Sequence, residues 1–459
     1  MKLENIKKWI FYVSVIGMIF TIRMVEQSIR MGAYQLNAYQ IKAAAILLFA
    51  LANWIAETVP VAITALIVIV IVPFAGIMSF SEVIQGSFGN SIFGFFLGTL
   101  ILSEAFSQTN LGKLIASGLF RIFGRTPRAT IFAIMFSGLF LAMWVTEVAA
   151  AAIVFPIALS IVEQVKQDKE RRWFGKAMML AVAWGCAFGG VATPIATGAN
   201  LIALSYLEEY CNIKIGFLQW MKIGIPISIT LLFVGWGILG TIIKNNLEFQ
   251  WKEEKVCFGN KEKKLMAAFL AAVVLWIFGS RVGIGSHHVA LLVAITLFFP
   301  GINVLEWKKT IGSISWDSIM LICAGILIGD LLYDCGLAEI ISDCFFVPVL
   351  LRQGVLLSGI YIVLTVSVLK IMFSSNTVTG VVLVPIMILL AEKMQLSAWY
   401  LVAPCVFSSA LSLVVITSSP VNVIPYSAKY FTPADMAKYG VPMTLASAVI
   451  IGFWLWVFN

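Results

Sequence analysis

Charge is scarce in this sequence. Only 12% of its 459 residues are Asp, Glu, Lys or Arg, against about a quarter in soluble domains, so an ordinary soluble fold is excluded. Histidine is nearly absent: the chain has only His287 and His288, side by side at a predicted helix entrance. Without an H-E-x-x-H motif, a His/Cys cluster or a soluble catalytic domain, a metallohydrolase or a Ser/His/Asp enzyme lacks its parts, and no enzyme is expected. The seven cysteines, Cys186, Cys211, Cys257, Cys323, Cys335, Cys344 and Cys405, are scattered, odd in number and without a C-x-x-C pair. That is the usage of plain buried thiols. The alternation of a membrane β-barrel is also missing, which leaves helices as the only spanning structure.

What is plentiful is apolar. The chain is 61% hydrophobic with mean hydropathy +0.98, and apolar runs of about twenty residues recur from end to end. The sequence therefore reads as an all-α polytopic membrane protein. Residues 1–24 carry basic residues and then an apolar run without a clean small-residue cleavage site, so they are expected to stay as a first helix. The net charge of +8 does not point to nucleic acid, because it is gathered into four loop clusters. These are Lys2, Lys7 and Lys8; Arg121, Arg125 and Arg128; Lys166, Lys169, Arg171, Arg172 and Lys176; and Lys244, Lys252, Lys255, Lys261, Lys263 and Lys264. The positive-inside rule puts all four, and the N-terminus, in the cytoplasm of a plasma (inner) membrane protein. Residues 129–165 lie between two cytoplasmic clusters, so they must enter the membrane and return as a re-entrant hairpin. Such backbone is tolerated only where it is buried in protein or lines a cavity.

The chain also repeats itself. Ala65-Leu66 and Gly76-Ile77 correspond to Ala290-Leu291 and Gly301-Ile302, Ser91-Ile92 to Ser318-Ile319, Glu104 to Asp330, and Leu111 to Leu337. Thr146 and Pro156 then match Ser375 and Pro385, and Thr193 and Asn200 approximately match Thr417 and Asn422. The expected organisation is a first half, 1–244, with extra N-terminal helices, a cytoplasmic linker, 245–264, and a second half, 265–459, with its own hairpin at 355–392. About eleven spanning helices and two re-entrant hairpins are predicted. An odd number of crossings inverts the second half, as in many secondary transporters.

Four polar breaks interrupt the apolar background: Thr146-Glu147, residues 193–200, residues 374–379 and residues 417–422. Ser, Thr and Asn there are natural helix N-caps, and helix N-termini turned toward one another favour an anion. Freed carbonyls with hydroxyl and amide oxygens suit a bare Na⁺. The plain alternative is that Ser and Thr merely join helices. One of these breaks differs from the rest, because Glu147 places a carboxylate where its repeat mate has neutral groups.

Several motifs carry a resemblance: Trp54-Ile55-Ala56-Glu57-Thr58-Val59-Pro60, Gly76-Ile77-Met78-Ser79-Phe80, Phe95-Phe96-Leu97-Gly98, Thr109-Asn110-Leu111-Gly112, Ser375-Asn376-Thr377 and Ser419-Pro420-Val421-Asn422. Through them nearly the whole chain resembles the divalent anion/sodium symporter family of dicarboxylate, citrate and sulfate transporters. The resemblance implies a homodimer in the bilayer, with a scaffold domain and an elevator-type transport domain interleaved across both halves. It further implies that the two signature tripeptides and the two broken helices bind substrate carboxylates and, in symporters, Na⁺. On this sequence the substrate residues are Thr146, Glu147, Thr197, Asn200, Ser375, Asn376, Thr377, Ser419, Pro420 and Asn422. Possible sodium positions are Thr146, Glu147 and Asn200 at one tip, and Ser374, Ser375 and Asn376 at the other. The chain departs from the family where Thr146-Glu147-Val148 replaces the first Ser-Asn-Thr, where Ala142 and Ile371 replace hydroxyl residues, and where Thr197-Gly198-Ala199-Asn200 lacks prolines.

Glu147 allows three readings. A carboxylate at membrane depth costs about 2.5–3.5 kcal/mol unless it is neutralised, paired or wetted. It can be protonated and couple transport to H⁺, it can pair with Lys370 inside the apolar stretch 364–373 so that this cation replaces a sodium, or it can ligate a metal ion. Lys370 can also snorkel to an interface. Glu57 is expected in a capping or salt-bridge role. Glu104 and Asp330 are expected to bond transport to scaffold elements, outside the site. No cofactor is implied beyond Na⁺ or H⁺ as coupling ion. The expected function is secondary active transport of small organic anions, di- or tricarboxylate-like, coupled to protons or running as sodium-independent exchange. A sodium symporter with Glu147 as cation ligand is the alternative; a channel or a membrane enzyme or lipid-handling protein fits less of the pattern.

Overall fold

The structure is a computed structural model and describes residues 2–25, 29–31, 34–123, 126–243, 257–279, 283–346, 354–373 and 375–458. Arg125, Lys244, Lys252, Lys255, Ser374 and residues 245–256 of the linker lie outside the described residues, as does the side chain of Cys344. The fold is helical apart from a hairpin of two three-residue strands, Ile29–Met31 and Tyr34–Leu36.

The first half runs α1 (Lys2–Met24), α2 (Ala38–Ala56), α3 (Val61–Phe74), α4 (Phe80–Ser87), α5 (Ser91–Gln108), α6 (Leu111–Phe123), α7 (Pro127–Ala142), α8 (Glu147–Glu163), α9 (Asp168–Ala192), a 3-10 turn (Pro194–Ala196), α10 (Gly198–Cys211) and α11 (Phe217–Gly240). The second runs α12 (Asn260–Phe278), α13 (Ser286–Thr296), α14 (Trp307–Ser313), α15 (Trp316–Asp334), α16 (Leu337–Phe345), α17 (Val355–Leu369), α18 (Asn376–Lys393), α19 (Trp399–Ala410), a 3-10 turn (Ile416–Ser418), α20 (Pro420–Tyr426) and α21 (Pro433–Val457). Helices α2 to α11 and α12 to α21 thus follow one plan, with α1 as an addition.

The halves also exchange partners. Helix α5 packs against α13 while α15 packs against α3, and α10 packs against α18 while α20 packs against α8. Reciprocal contacts of this kind are what a pseudo-two-fold axis produces. The mates Gly76 and Gly301 follow α3 and α13 with φ of +70° and +91°, a left-handed turn in which a β-carbon is strained.

Eight described helices are long and apolar enough to cross a bilayer, and five more are apolar but only 10–17 residues long. At 1.5 Å per residue these five fall short of a hydrocarbon core about 30 Å thick. The predicted count of eleven spans is therefore not reached by single straight helices. The difference is physical: α19 stops at a polar break inside the protein, and α3 and α13 end at the left-handed glycine turns, whereas α7 and α17 belong to the expected hairpins and not to the eleven. At each expected hairpin the chain forms two helices separated by a polar break, α7 and α8 in the first half and α17 and α18 in the second. Glu57 ends α2 as a left-handed C-cap, and its carbonyl accepts from Lys7 Nζ at 3.0 Å; that is the capping role expected of it.

Two groups of helices emerge from the packing. One gathers α7, α8, α9 and α11 with α17 to α21, the other α1 to α5 with α12, α13 and α15, and they meet where α15 lies against α10 and α18. Within the second group α5 approaches α13 very closely. A β-carbon at Gly98 would lie 2.6 Å from the Ala290 carbonyl carbon and 2.8 Å from the Leu291 nitrogen. Backbone cannot yield as a side chain can, so Gly98→Val is expected to cost at least about 1–3 kcal/mol. A thermal unfolding scan in detergent should show a clearly lower midpoint; an unchanged one would contradict this packing.

Candidate functional site

Each polar break starts a helix, for a local reason. Thr146 Oγ1 accepts from Ala149 N at 3.4 Å to cap α8, and Thr197 Oγ1 accepts from Asn200 N at 3.4 Å to cap α10. Ser375 Oγ accepts from Val378 N at 3.5 Å to cap α18, and Ser419 Oγ accepts from Val421 N at 3.4 Å to cap α20. A side-chain oxygen at this position satisfies one of the free N–H groups of the first turn. The four starts converge on one cavity of about 390 Å³. Thr146, Glu147, Thr197, Ser375, Asn376, Thr377, Ser419 and Pro420 all line it.

Asn200 and Asn422 do not line it. Asn200 Nδ2 donates to Gly190 O at 2.9 Å and Thr193 O at 3.0 Å. Asn422 Nδ2 donates to Ser412 O at 2.7 Å and Val415 O at 3.2 Å. In each half the amide therefore clamps the carbonyls ten and seven residues upstream, tying a broken helix to its own second piece. These matched clamps also correct the repeat alignment, in which Thr193 pairs with Val415 rather than Thr417.

The two hairpin tips are joined by a chain of polar groups. Lys370 Nζ donates to Asn376 Oδ1 and Ser412 Oγ, and Asn376 Nδ2 donates to Glu147 Oε1. Glu147 and Lys370 thus make no direct salt bridge; Asn376 carries the interaction between them, its oxygen turned to the cation and its nitrogen to the carboxylate. All three side chains are buried, Lys370 to 2% exposure, so Lys370 does not snorkel. Helix dipoles assist both charges. Glu147 is the first residue of α8, where negative charge is favoured, and Lys370 caps the C-terminus of α17, where positive charge is favoured.

Two buried oxygens at the first tip have no hydrogen-bond partner, Glu147 Oε2 and Asn200 Oδ1. Both border Gly190. Its carbonyl holds the Asn200 amide at 2.9 Å, and a β-carbon there would meet Glu147 Oε2 at 3.0 Å. At the second tip Asn376 Oδ1 and Ser412 Oγ already accept from Lys370. At the first tip Glu147 Oε2 and Asn200 Oδ1 accept from no such cation.

Several lining residues escaped the sequence reading. Ser103 on α5 meets Thr146 Oγ1 at 3.4 Å, and Ser313, Ser315 and Ser318 bring in the start of α15. Glu104, expected outside the site, lines the cavity and accepts from Gln108 at 2.8 Å. Its mate Asp330 is elsewhere, bonded to Tyr210, as expected for a contact between elements. Ser412 had one usable signal, its position ten residues before Asn422. His287 and His288 stand at the entrance of α13 with ring centroids 4.2 Å apart.

Comparison with known proteins bears on this arrangement. A solved structure, the YdaH transporter of Alcanivorax borkumensis, shares the fold with a TM-score of 0.60 over 100% of this chain and 99% of that one, at 12% identity. An uncharacterized transporter of Haemophilus influenzae is 27% identical over 96% of this chain and 97% of its own length. Sodium-dependent dicarboxylate transporters named SdcS from Staphylococcus saprophyticus and Staphylococcus aureus are 26% and 27% identical, each over 87% of this chain and 82% of theirs. Residues 7–458 match the family described as the sodium:sulfate symporter transmembrane region. This chain, an integral membrane protein and not an enzyme, belongs to that family of transporters.

Proposed function

We propose that the protein is a secondary transporter of small organic anions of the di- or tricarboxylate class, running without sodium by exchange of one anion for another. The observation that carries this reading is Lys370, whose ammonium is bound to Asn376 and Ser412 inside the second tip. A cation fixed to the protein balances Glu147 through Asn376 and travels with the site in both directions. It therefore adds no ion gradient to the driving force. The capped N-termini of α8, α10 and α18 supply N–H groups and positive dipole ends for substrate carboxylates. The dicarboxylate class is supported by the sodium-dependent relatives.

The motion we propose is an elevator. Helices α7 to α11 and α17 to α21 would carry the site past a scaffold of α1 to α6 and α12 to α16, with 1–244 and 265–459 as inverted halves in a homodimer. The basic clusters support a cytoplasmic N-terminus in the plasma membrane. The cavity wall includes Ser103, Glu104 and Ser107 near the C-terminal end of α5, together with Ser313, Ser315 and Ser318, which supports a site open on the side where α5 ends. The test is flux through proteoliposomes preloaded with unlabelled succinate and offered labelled dicarboxylates, citrate or sulfate. Dicarboxylate exchange is expected, and no flux of any anion would overturn the assignment. A second reading rests on the unpartnered Glu147 Oε2 and Asn200 Oδ1: one Na⁺ or H⁺ bound at the first tip alone. It predicts non-cooperative dependence on that ion.

A further inference from the structure

Away from the anion cavity, α10 is fastened to α15 by two tyrosines one helical turn apart. Tyr206 Oη donates to Gly325 O at 3.0 Å and Ile326 O at 2.9 Å, and Tyr210 Oη donates to Asp330 Oδ1 at 2.6 Å. Residues four apart share a face of a helix, so both hydroxyls reach α15 together. Tyr206 is fully buried and Asp330 is 8% exposed. The notch that admits Tyr206 exists only because residue 329 is glycine, since a β-carbon there would fall inside the tyrosine hydroxyl. Gly325, one turn earlier, gives the same close approach to Val381 of α18. Tyr210 also lies against Tyr333 of α15, with ring centroids 4.1 Å apart.

Such a fit is specific to one registration of the two helices. Any sliding of α10 along α15 takes the Tyr206 hydroxyl out of the Gly329 notch and strips Asp330 of its donor. A buried hydroxyl or carboxylate without a partner is costly, so this registration is a discrete position rather than a point on a smooth track.

We propose that Tyr206 and Tyr210 are positioning residues of the transport step: a two-hydroxyl latch that closes on Gly329 and Asp330 and holds the site in the position seen here. The proposal rests on the reading in which the group containing α10 moves against the group containing α15. The latch adds an energetic reason for the site to pause in this position, and it sets how often that position is left.

The test is the distance between spin labels on Leu218→Cys in α11 and Phe299→Cys beyond α13, both exposed positions, in full-length protein in liposomes with the exposed Cys257 replaced by serine. Tyr206→Phe with Tyr210→Phe keeps both rings and removes both hydroxyls. It should shift the ratio of the two distance populations away from the present one by about tenfold or more, two hydroxyl donors being lost. Gly329→Ala, acting from the other side of the notch, should shift it in the same direction. Both variants should still unfold in one cooperative transition, so that the shifted ratio reports the position of the site rather than a loss of fold, a readout that a merely structural contact would not move. Two populations whose ratio neither variant changes would overturn the latch while sparing the moving-unit reading. A single population in all proteins, with and without saturating succinate, would overturn that reading and the latch with it.

Discussion

Lys370→Met should cut anion flux by at least tenfold. Methionine keeps most of the side-chain volume but not the ammonium, so Asn376 Oδ1 and Ser412 Oγ lose their donor and Glu147 loses its balancing charge. Removing one member of a buried ion pair costs about 3–5 kcal/mol. If only half of that falls on the transport-competent state, the initial rate should drop by roughly 10- to 60-fold, since about 1.4 kcal/mol is tenfold. The same substitution discriminates between causes. Lys370→Ser frees the same two oxygens and leaves room beside them, so added sodium should restore part of the lost rate; Lys370→Met should not respond. Flux measured at saturating succinate, with sodium and with choline, checks both statements. Wild-type flux in Lys370→Met would show that the lysine is a spectator.

The second large effect concerns the pair as a unit. Glu147→Gln strands the Lys370 cation, and Lys370→Met strands the Glu147 carboxylate, so each alone should lower the apparent unfolding midpoint in detergent. The double variant buries no net charge and should be more stable than either single one. Groups in one hydrogen-bonded network typically couple by about 0.5–3 kcal/mol, and a buried charge pair belongs at the upper end of that range. Strict additivity of the two changes would mean that Asn376 does not connect the tips. Glu147→Gln with preserved flux would make the acid structural rather than functional.

How far the sequence reached depends on the distance over which each feature is decided. The caps at Thr146, Thr197, Ser375 and Ser419 are local, and all four are where the polar breaks predict them. The hairpins were legible as well, from charge clusters on either side of residues 129–165 and from the repeat. What could not be read was any contact set by how helices meet. Asn376 reaches a carboxylate 229 residues away, and nothing in the local sequence tells which amide atom faces Lys370. The direct Glu147 to Lys370 pair was the simplest guess from charge; the observed chain inserts an amide between them. Ser103, Glu104 and the serines before α15 enter the cavity wall only because α5 and α15 come from different halves. Asn200 and Asn422 are expected among the substrate residues, yet their amides donate to carbonyls at their own chain breaks and neither lines the cavity.

The family and the sodium-dependent relatives make sodium coupling the simple expectation for this chain. Lys370 argues otherwise at the second tip, because a fixed ammonium already holds the oxygens that an ion would need. On the proposed reading the decisive difference lies in one residue rather than in the fold. The most direct test is the initial rate of succinate exchange into proteoliposomes of the wild-type protein when all sodium is replaced by choline at constant pH. The account predicts an unchanged rate. A rate that collapses without sodium and rises cooperatively as it is added back, as two bound ions would require, would contradict it.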